Sequence, residues 1–374
     1  MVKRLDFVFF DAGGGHRSAA NALKSIIEQQ GRPWEVRLVD LKEILTSLDV
    51  VRKVTGISIE EVYNRLLKKG WTLGSGQLLA GLQLLIRLYH GGQVKLLKGF
   101  WLESRPDLVV SLVPNFNRAL FESLGGIPLV TILTDLADYP PHFWIERQPQ
   151  YLVCGTEKAA EQAYELGHSK DRVFRTSGMI LRPGFYQPIE ASREDERRRL
   201  GLDPRLPTGL VLFGGEGSEW MIEITRTLCQ AGLPLQLILI CGKNKILKQR
   251  LEEMNPGFPV FVEGFTSEIP YYMHLSDFFI GKPGPGSISE AIAMKLPVVV
   301  ERNIWTLPQE RFNTDWIRQN ELGVVLKSFR DIRAGLTQLL EPANFERYRK
   351  NAASVNNRAV FEVPEILAQL LEGR

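Results

Sequence analysis

The chain alternates short, almost uninterrupted apolar runs with longer stretches in which apolar residues recur at helical spacing. The runs "LDFVFF", "WEVRLVD", "DLVVSL", "IPLVTILT" and "YLVCG" read as strands, mostly followed by helical patterns such as "TEKAAEQAYELG". A second series comprises "TGLVLFGG", "LQLILICG", "FPVFVEGF", "DFFIG" and "PVVVE". Strands that are apolar on both faces and alternate with helices predict parallel sheets covered by helices on either side. Two such series predict an α/β chain of two doubly wound, Rossmann-like domains. The segment "SGMILRPGFYQPIEASREDERRRLGLDPRLPTG", rich in Pro, Gly and charge, separates them. The expected boundary lies near Pro188, giving domains 1–187 and 188–355, with a final helical segment, 356–374, folding back on the first.

Composition narrows the class. At 44% hydrophobic and 24% charged the 374 residues are globular, and a formal net charge of +3 makes no case for nucleic acid. The charge is unevenly spread: residues 51–105 hold nine Lys/Arg against three Glu, a local +6, so the remainder is near −3. This basic segment interleaves Lys68 and Lys69 with Trp71, Trp101 and many apolar residues, as an amphipathic surface docking on anionic lipid would. A core helix with a solvated basic face has the same pattern. Cys154, Cys229 and Cys241 show no C-x-x-C spacing, which argues against a disulfide framework or zinc site and suits a reducing cytosol. No apolar stretch reaches about 18 residues, so membrane contact is expected to be peripheral.

Three Gly-rich turns carry the candidate chemistry. In "DAGGGHRSAA", Gly13, Gly14 and Gly15 follow a strand and precede a helix, and His16 stands at the carboxyl end of that strand, where open α/β sheets hold ligands. "GGEGS", with Gly215, follows another strand. "GKPGPGSISEAIA" follows a third and is expected to open a helix at Ser287, so that Gly284, Gly286 and Ser287 meet a diphosphate through N–H groups and a hydroxyl with no lysine needed. Glu290, one turn on, suits two ribose hydroxyls, although the helix dipole alone also favours an acid early in a helix. Asp135, ending "VTILTD", is a second candidate beside His16, as base or as its orienting group; a strand-end Asp also commonly caps a helix.

The motifs "GGGHRSAA", "GMILRPGFY", "CGKN", "EGF", "GKPGPGSISEAIAMKLPVVV" and "PQERFN", in this order over nearly the whole length, resemble the monogalactosyldiacylglycerol synthase branch of the GT-B glycosyltransferases, of the family 28 type. The chain is more distantly similar to bacterial glucosyltransferases acting on diacylglycerol and to the enzyme adding N-acetylglucosamine to the lipid-linked peptidoglycan precursor. The resemblance implies a hexosyltransferase that moves galactose or glucose from a UDP-sugar to a lipid acceptor with inversion, in the cleft of two facing domains.

By that resemblance, Gly264 and Phe265 match the stretch that receives uracil, Gly284, Gly286 and Ser287 the phosphate loop, and Glu290 the ribose acid. Gln309 and Glu310 match the pair bonded to sugar hydroxyls, Lys243 and Asn244 a donor-side motif, and His16, in the loop of Gly14 and Gly15, the catalytic base or its helper. Lys68, Lys69 and Trp71 fall where the family inserts its membrane-binding part, and Pro114 and Asn115 lie on the acceptor side. No D-x-D triplet follows a strand, so neither a metal nor another cofactor is expected. The expected setting is cytoplasmic, on the inner face of the plasma membrane.

Two departures stand out. Val113 precedes Pro114 where several members of the family have histidine, and His142 and Trp144 occur at altered spacing in "LADYPPHFW". A UDP-sugar epimerase of the same architecture, or transfer of N-acetylglucosamine to another lipid-linked acceptor, remains the alternative. An NAD-dependent oxidoreductase, encouraged by Asp40, would need glycine at Ser18 and would leave a second phosphate loop unused.

Overall fold

The computed structural model describes residues 2–10, 15–45, 81, 83–84, 86–139 and 142–372. Gly13, Gly14, Lys68, Lys69 and Trp71 lie outside them. The chain divides into one compact unit of Met1–Pro183, Leu307–Gln309 and Asn357–Arg374 and a second of Gly184–Thr306 and Glu310–Asn356. The first segment of the first unit thus ends at Pro183, within the Pro/Gly/charge-rich run in which the sequence reading placed the break at Pro188.

In the first unit, β1 (Lys3–Phe9), β2 (Trp34–Asp40), β3 (Leu108–Ser111), β4 (Leu129–Ile132), β5 (Tyr151–Cys154) and β6 (Val173–Arg175) form one parallel sheet in the order β2-β1-β3-β4-β5-β6. The chain leaves β1 toward β2 on one side and returns to β3 on the other, so the topological switch lies between β1 and β3. Strands β3 and β4 are buried at every position, as their apolar runs require. The sequence reading missed β6: only three residues, "VFR", pair with β5 at the sheet edge, too few to show as a run.

Helix α1 (Gly15–Gln29) forms because Ala19, Ala20, Leu23, Ile26 and Ile27 recur on one face and are buried there. Gly31, at φ +61°, ends that turn of chain in the left-handed region. Helices α2 (Leu41–Leu45), α3 (His90–Ser104), α4 (Asn117–Ser123) and α5 (Glu157–Glu165) follow. Trp101 of α3 and Leu120 of α4 close a core with Val8, Val109 and Leu129 of the sheet. His168 is buried, its Nε2 2.8 Å from the Glu146 carbonyl.

The second unit repeats the design with β7 (Thr208–Leu212), β8 (Gln236–Ile240), β9 (Val260–Glu263), β10 (Phe278–Gly281), β11 (Val298–Glu301) and β12 (Gly323–Leu326), all parallel, in the order β12-β11-β10-β7-β8-β9. Its switch lies between β7 and β10. Helices α6 (Arg193–Arg199), α7 (Trp220–Ala231), α8 (Lys245–Glu253), α9 (Ile269–His274), α10 (Pro285–Ala293), α11 (Pro308–Gln319), α12 (Ile332–Leu340) and α13 (Pro342–Ser354) alternate with the strands or follow them. Val211, Leu237, Leu239, Phe278 and Ile280 fill its core with Met221, Ile224 and Leu336.

The last helix, α14 (Ala359–Glu372), belongs to the first unit and lies against α1. Its side chains reach across: Arg32 pairs with Glu365, and the Ser177 N–H donates to Glu362 at 2.7 Å. Just before it, Asn357 Nδ2 donates to the Met179 carbonyl at 2.8 Å.

Candidate active site

His16 opens α1 on the carboxyl side of β1, and Leu112 follows β3, so the two flank the switch of the first sheet. Nδ1 of His16 is hydrogen-bonded to the Leu112 carbonyl. A carbonyl oxygen can only accept, so Nδ1 carries the proton and Nε2 of the neutral ring keeps its lone pair. Burial holds the His16 pKa below the ordinary 6.5, against the raising effect of the Leu112 bond. The ring is therefore neutral at pH 7 and able to take a proton at Nε2.

The loop after β4 supplies the rest of this site. Trp144 stacks on His16 with ring centroids 5.6 Å apart and planes 21° from parallel. Its Nε1 donates to Asp135 Oδ2 at 2.8 Å. Asn115, at φ +69°, donates its backbone N–H to the Phe143 carbonyl at 2.5 Å, and its Oδ1 accepts from Gln83 Nε2 at 2.8 Å. Asn115 is thus tied to the Trp144 loop, with Pro114 just before it. His142, at φ +68°, has Nδ1 3.2 Å from Asp138 Oδ2. Beside these, a hollow of about 410 Å³ is lined by Arg17, Ser18, Asn21 and Ser25 of α1 and by Arg182 and Pro183.

In the second unit the candidate loops also gather at the carboxyl ends of the strands. Gly242, at φ +60°, lies so close to the Gly215 carbonyl that a side chain there would collide with it. The neighbouring Lys243 N–H donates to that same carbonyl at 2.8 Å. Lys243 Nζ stands 5.6 Å from the ring centroid of Phe265, which is 69% exposed and open to stack on a flat ligand. Gly264 donates its N–H to Glu263 Oε1 at 2.7 Å, and this bond leads the causes that hold the Glu263 carboxyl below its ordinary range. Asn244 acts locally on the fold, where its Oδ1 caps α8 by accepting from Leu247 N at 3.0 Å.

The phosphate loop begins its helix earlier than the sequence reading expected. Gly284 is the N-cap and Pro285 the first residue of α10, because proline needs no hydrogen-bond acceptor there and its fixed φ suits the first turn. Gly286 and Ser287 lie inside that turn, where backbone N–H groups have no helical partner, and nothing stands within 4 Å of where a Gly286 side chain would be. Glu290, half-buried, follows on the same helix.

Two residues escaped the sequence reading. Lys282 stands in the loop itself, with Nζ 3.3 Å from Oε1 of Glu310. Asn313 is fully buried, and its Nδ2 donates to the Pro283 carbonyl at 2.8 Å, fastening the loop to α11. The lysine was legible in "GKPGPGS", and the asparagine as the last letter of "PQERFN". Gln309, just before Glu310, carries a buried Oε1 with no hydrogen-bond partner among the described residues.

The two buried cysteines are packing residues. Burial pushes the Cys154 thiol up to about 12 and the Cys241 thiol up to about 11, far from the range of a nucleophile. Among the described residues no three His, Cys, Asp or Glu side chains are placed to hold a metal ion. Among the same residues no helix is long and apolar enough to cross a membrane.

Residues 210–301, which carry β7 to β11 and the loops just described, match the glycosyltransferase family 28 C-terminal domain. This chain is a glycosyltransferase that carries this domain. Along its whole length the transferase is similar to the chloroplastic monogalactosyldiacylglycerol synthase of Spinacia oleracea, at 28% identity over 398 residues, covering 99% of this chain and 73% of the relative. Its fold is the GT-B fold. The crystal structure of Acinetobacter baumannii MurG superposes with a TM-score of 0.59 at 14% identity, covering 99% of the transferase and 100% of that chain. A UDP-GlcNAc 2-epimerase from Neisseria meningitidis, bound to UDP-GlcNAc, gives 0.61 at 15% identity, covering 98% of the transferase and 100% of that chain. Fold alone therefore does not separate transfer from epimerisation.

Proposed function

We propose that this transferase moves a hexose, galactose or glucose, from a UDP-sugar to diacylglycerol with inversion at the anomeric carbon. The observation that carries the reading is similarity to a monogalactosyldiacylglycerol synthase over 99% of the chain, through both units. The geometry of each unit supplies one half of the chemistry.

In the first unit, Nε2 of neutral His16 takes the proton from the acceptor hydroxyl as its oxygen bonds to the anomeric carbon. The bond from that carbon to the diphosphate oxygen breaks, and UDP leaves with the electron pair.

In the second unit, the first turn of α10 and Lys282 meet the negative charge that develops on the leaving diphosphate, so the reading needs no metal ion and no other cofactor. Phe265 and Gly264 receive the uracil, Glu290 the ribose hydroxyls, and Glu310 the sugar hydroxyls. In this reading the basic segment 51–105 docks the enzyme on an anionic bilayer, in the cytoplasm at the inner face of the plasma membrane.

The test is incubation with a panel of UDP-sugars and diacylglycerol vesicles, with products identified by mass spectrometry. A monohexosyldiacylglycerol of inverted anomeric configuration is the expected product. Turnover of the UDP-sugar into an epimer, or a glycolipid made only from UDP-N-acetylglucosamine, would replace this reading.

A further inference from the structure

We propose that Trp144 and Asp135 are positioning residues for His16: the Asp135 carboxylate fixes the indole of Trp144, and the indole fixes the plane of the imidazole. The inference rests on the reading of His16 as the base. It also gives Asp135 a role other than proton removal.

A single hydrogen bond leaves an imidazole partly free. The Leu112 carbonyl fixes the position of Nδ1, but the ring can still tilt about that contact and swing Nε2 away from an acceptor hydroxyl. A flat neighbour 5.6 Å away and 21° from parallel removes the tilt. For this to work the neighbour must itself be immobile.

Trp144 meets that condition. It is 1% exposed, and each of its polar atoms is bonded: its N–H donates to Asp138 Oδ1 at 3.2 Å, its carbonyl accepts from Asn117 Nδ2 at 3.1 Å, and Nε1 donates to Asp135 Oδ2 at 2.8 Å. Asp138 also accepts from the N–H groups of Phe143 at 2.9 Å and Ile145 at 3.0 Å. Asn117 is held in turn by the Ser111 hydroxyl at 2.6 Å and the Thr131 hydroxyl at 3.2 Å, so the indole is referenced to β3 and β4. The contact between Asp135 and Trp144 needs only an oxygen acceptor. A base would need the carboxylate itself.

Among the described residues, the titratable groups on the elements packed against His16 are Arg17, Lys24 and Glu28 of α1 and Asp135, Asp138, Tyr139 and His142 on the Trp144 loop; Leu112, Val113 and Pro114 contribute none. The decisive experiment is an NMR titration of the His16 ring, alongside transfer kinetics over pH, in wild type, Asp135→Asn, Asp135→Leu, Trp144→Phe and Trp144→Leu. Asp135→Asn keeps an acceptor for Nε1, so the His16 titration stays in place and kcat stays within about threefold. Asp135→Leu frees the indole: the His16 titration moves up toward 6.5 as water reaches the ring, and kcat falls about 10- to 100-fold with KM little changed. Trp144→Leu shifts the titration further in the same direction. Trp144→Phe, which keeps a flat ring of similar size, shifts it less and keeps the readout available if the leucine variant does not fold.

An unmoved His16 titration in folded Asp135→Leu and Trp144→Phe would overturn the inference. Loss of transfer in Asp135→Asn would overturn it in favour of Asp135 as base. A titration that moves as expected in an enzyme whose His16→Ala variant still transfers normally would leave the positioning intact and overturn the reading of His16 as base.

Discussion

Nζ of Lys282 lies 3.3 Å from Oε1 of Glu310, pairing a half-exposed ammonium with a carboxylate that is almost wholly buried. The acid holds the cation beside Gly284, whose side-chain position would be 3.4 Å from Lys282 Cε. The pair thus sets the Lys282 ammonium at the mouth of α10, its charge partly offset by the Glu310 carboxylate. Lys282→Met is expected to weaken UDP binding by about 1.5–3 kcal/mol, the range for a hydrogen bond to a charged group, as read by calorimetry. Unchanged affinity in the folded variant would remove Lys282 from the diphosphate site.

Glu290 gives a separate handle on the donor. If its carboxylate receives the ribose hydroxyls, Glu290→Ala lowers affinity for UDP by about 1.5–3 kcal/mol, with UDP binding to the wild-type enzyme unaffected by a chelator. Isothermal titration with and without chelator reads both parts. A requirement for added divalent ion would contradict the metal-free reading.

His16→Ala is expected to leave UDP affinity nearly intact and to reduce turnover by about 10²–10⁴, as for loss of a general base. The pH dependence follows from the direction in which burial moves this histidine. The wild-type rate should fall on the acid side with a midpoint below 6.5 and be flat through pH 7. Stability has the same sign: as pH drops below about 6.5 the unfolded chain takes up a proton that folded His16 refuses, so folding loses free energy. A rate profile with its acid midpoint above 6.5 would show that another group controls the step.

The basic segment offers a prediction about surfaces. Flotation with anionic liposomes should be strong at low salt and fall as salt rises, and the double change Lys68→Glu and Lys69→Glu should cost about 1 kcal/mol of binding per basic residue removed. Equal binding to neutral and anionic liposomes would rule out electrostatic docking.

Much of this architecture was legible in the sequence, for a physical reason. A parallel strand buried on both faces has to be written as a continuous apolar run, and "DLVVSL" or "LQLILICG" can be little else. Strand β6 was silent because three residues at a sheet edge are too few to show as a run. Strand order was silent too, since the helix between two strands does not record on which side the chain returns; yet it is the return of β3 beside β1 that brings Leu112 to His16. The start of α10 was misplaced by two residues because Ser287 looks like a cap, whereas Gly284 takes that place and Pro285 follows it. Lys282 was set aside because glycine N–H groups alone can hold a phosphate. The contact of Asp135 with Trp144 joins residues nine apart through a loop whose path no periodicity describes.

The return of α14 to the first unit governs the order in which the protein can be finished. Residues 184–306 and 310–356 of the second unit leave the ribosome before Asn357–Arg374, which the first unit still lacks at that moment. Of the two units, the one started first is thus completed last. Until then the α1 face that α14 covers, with Arg32 awaiting Glu365, is open to other chains. A stop codon near residue 356 would for the same reason injure the opposite end of the sequence, exposing the back of the helix that carries His16 while sparing the donor loops.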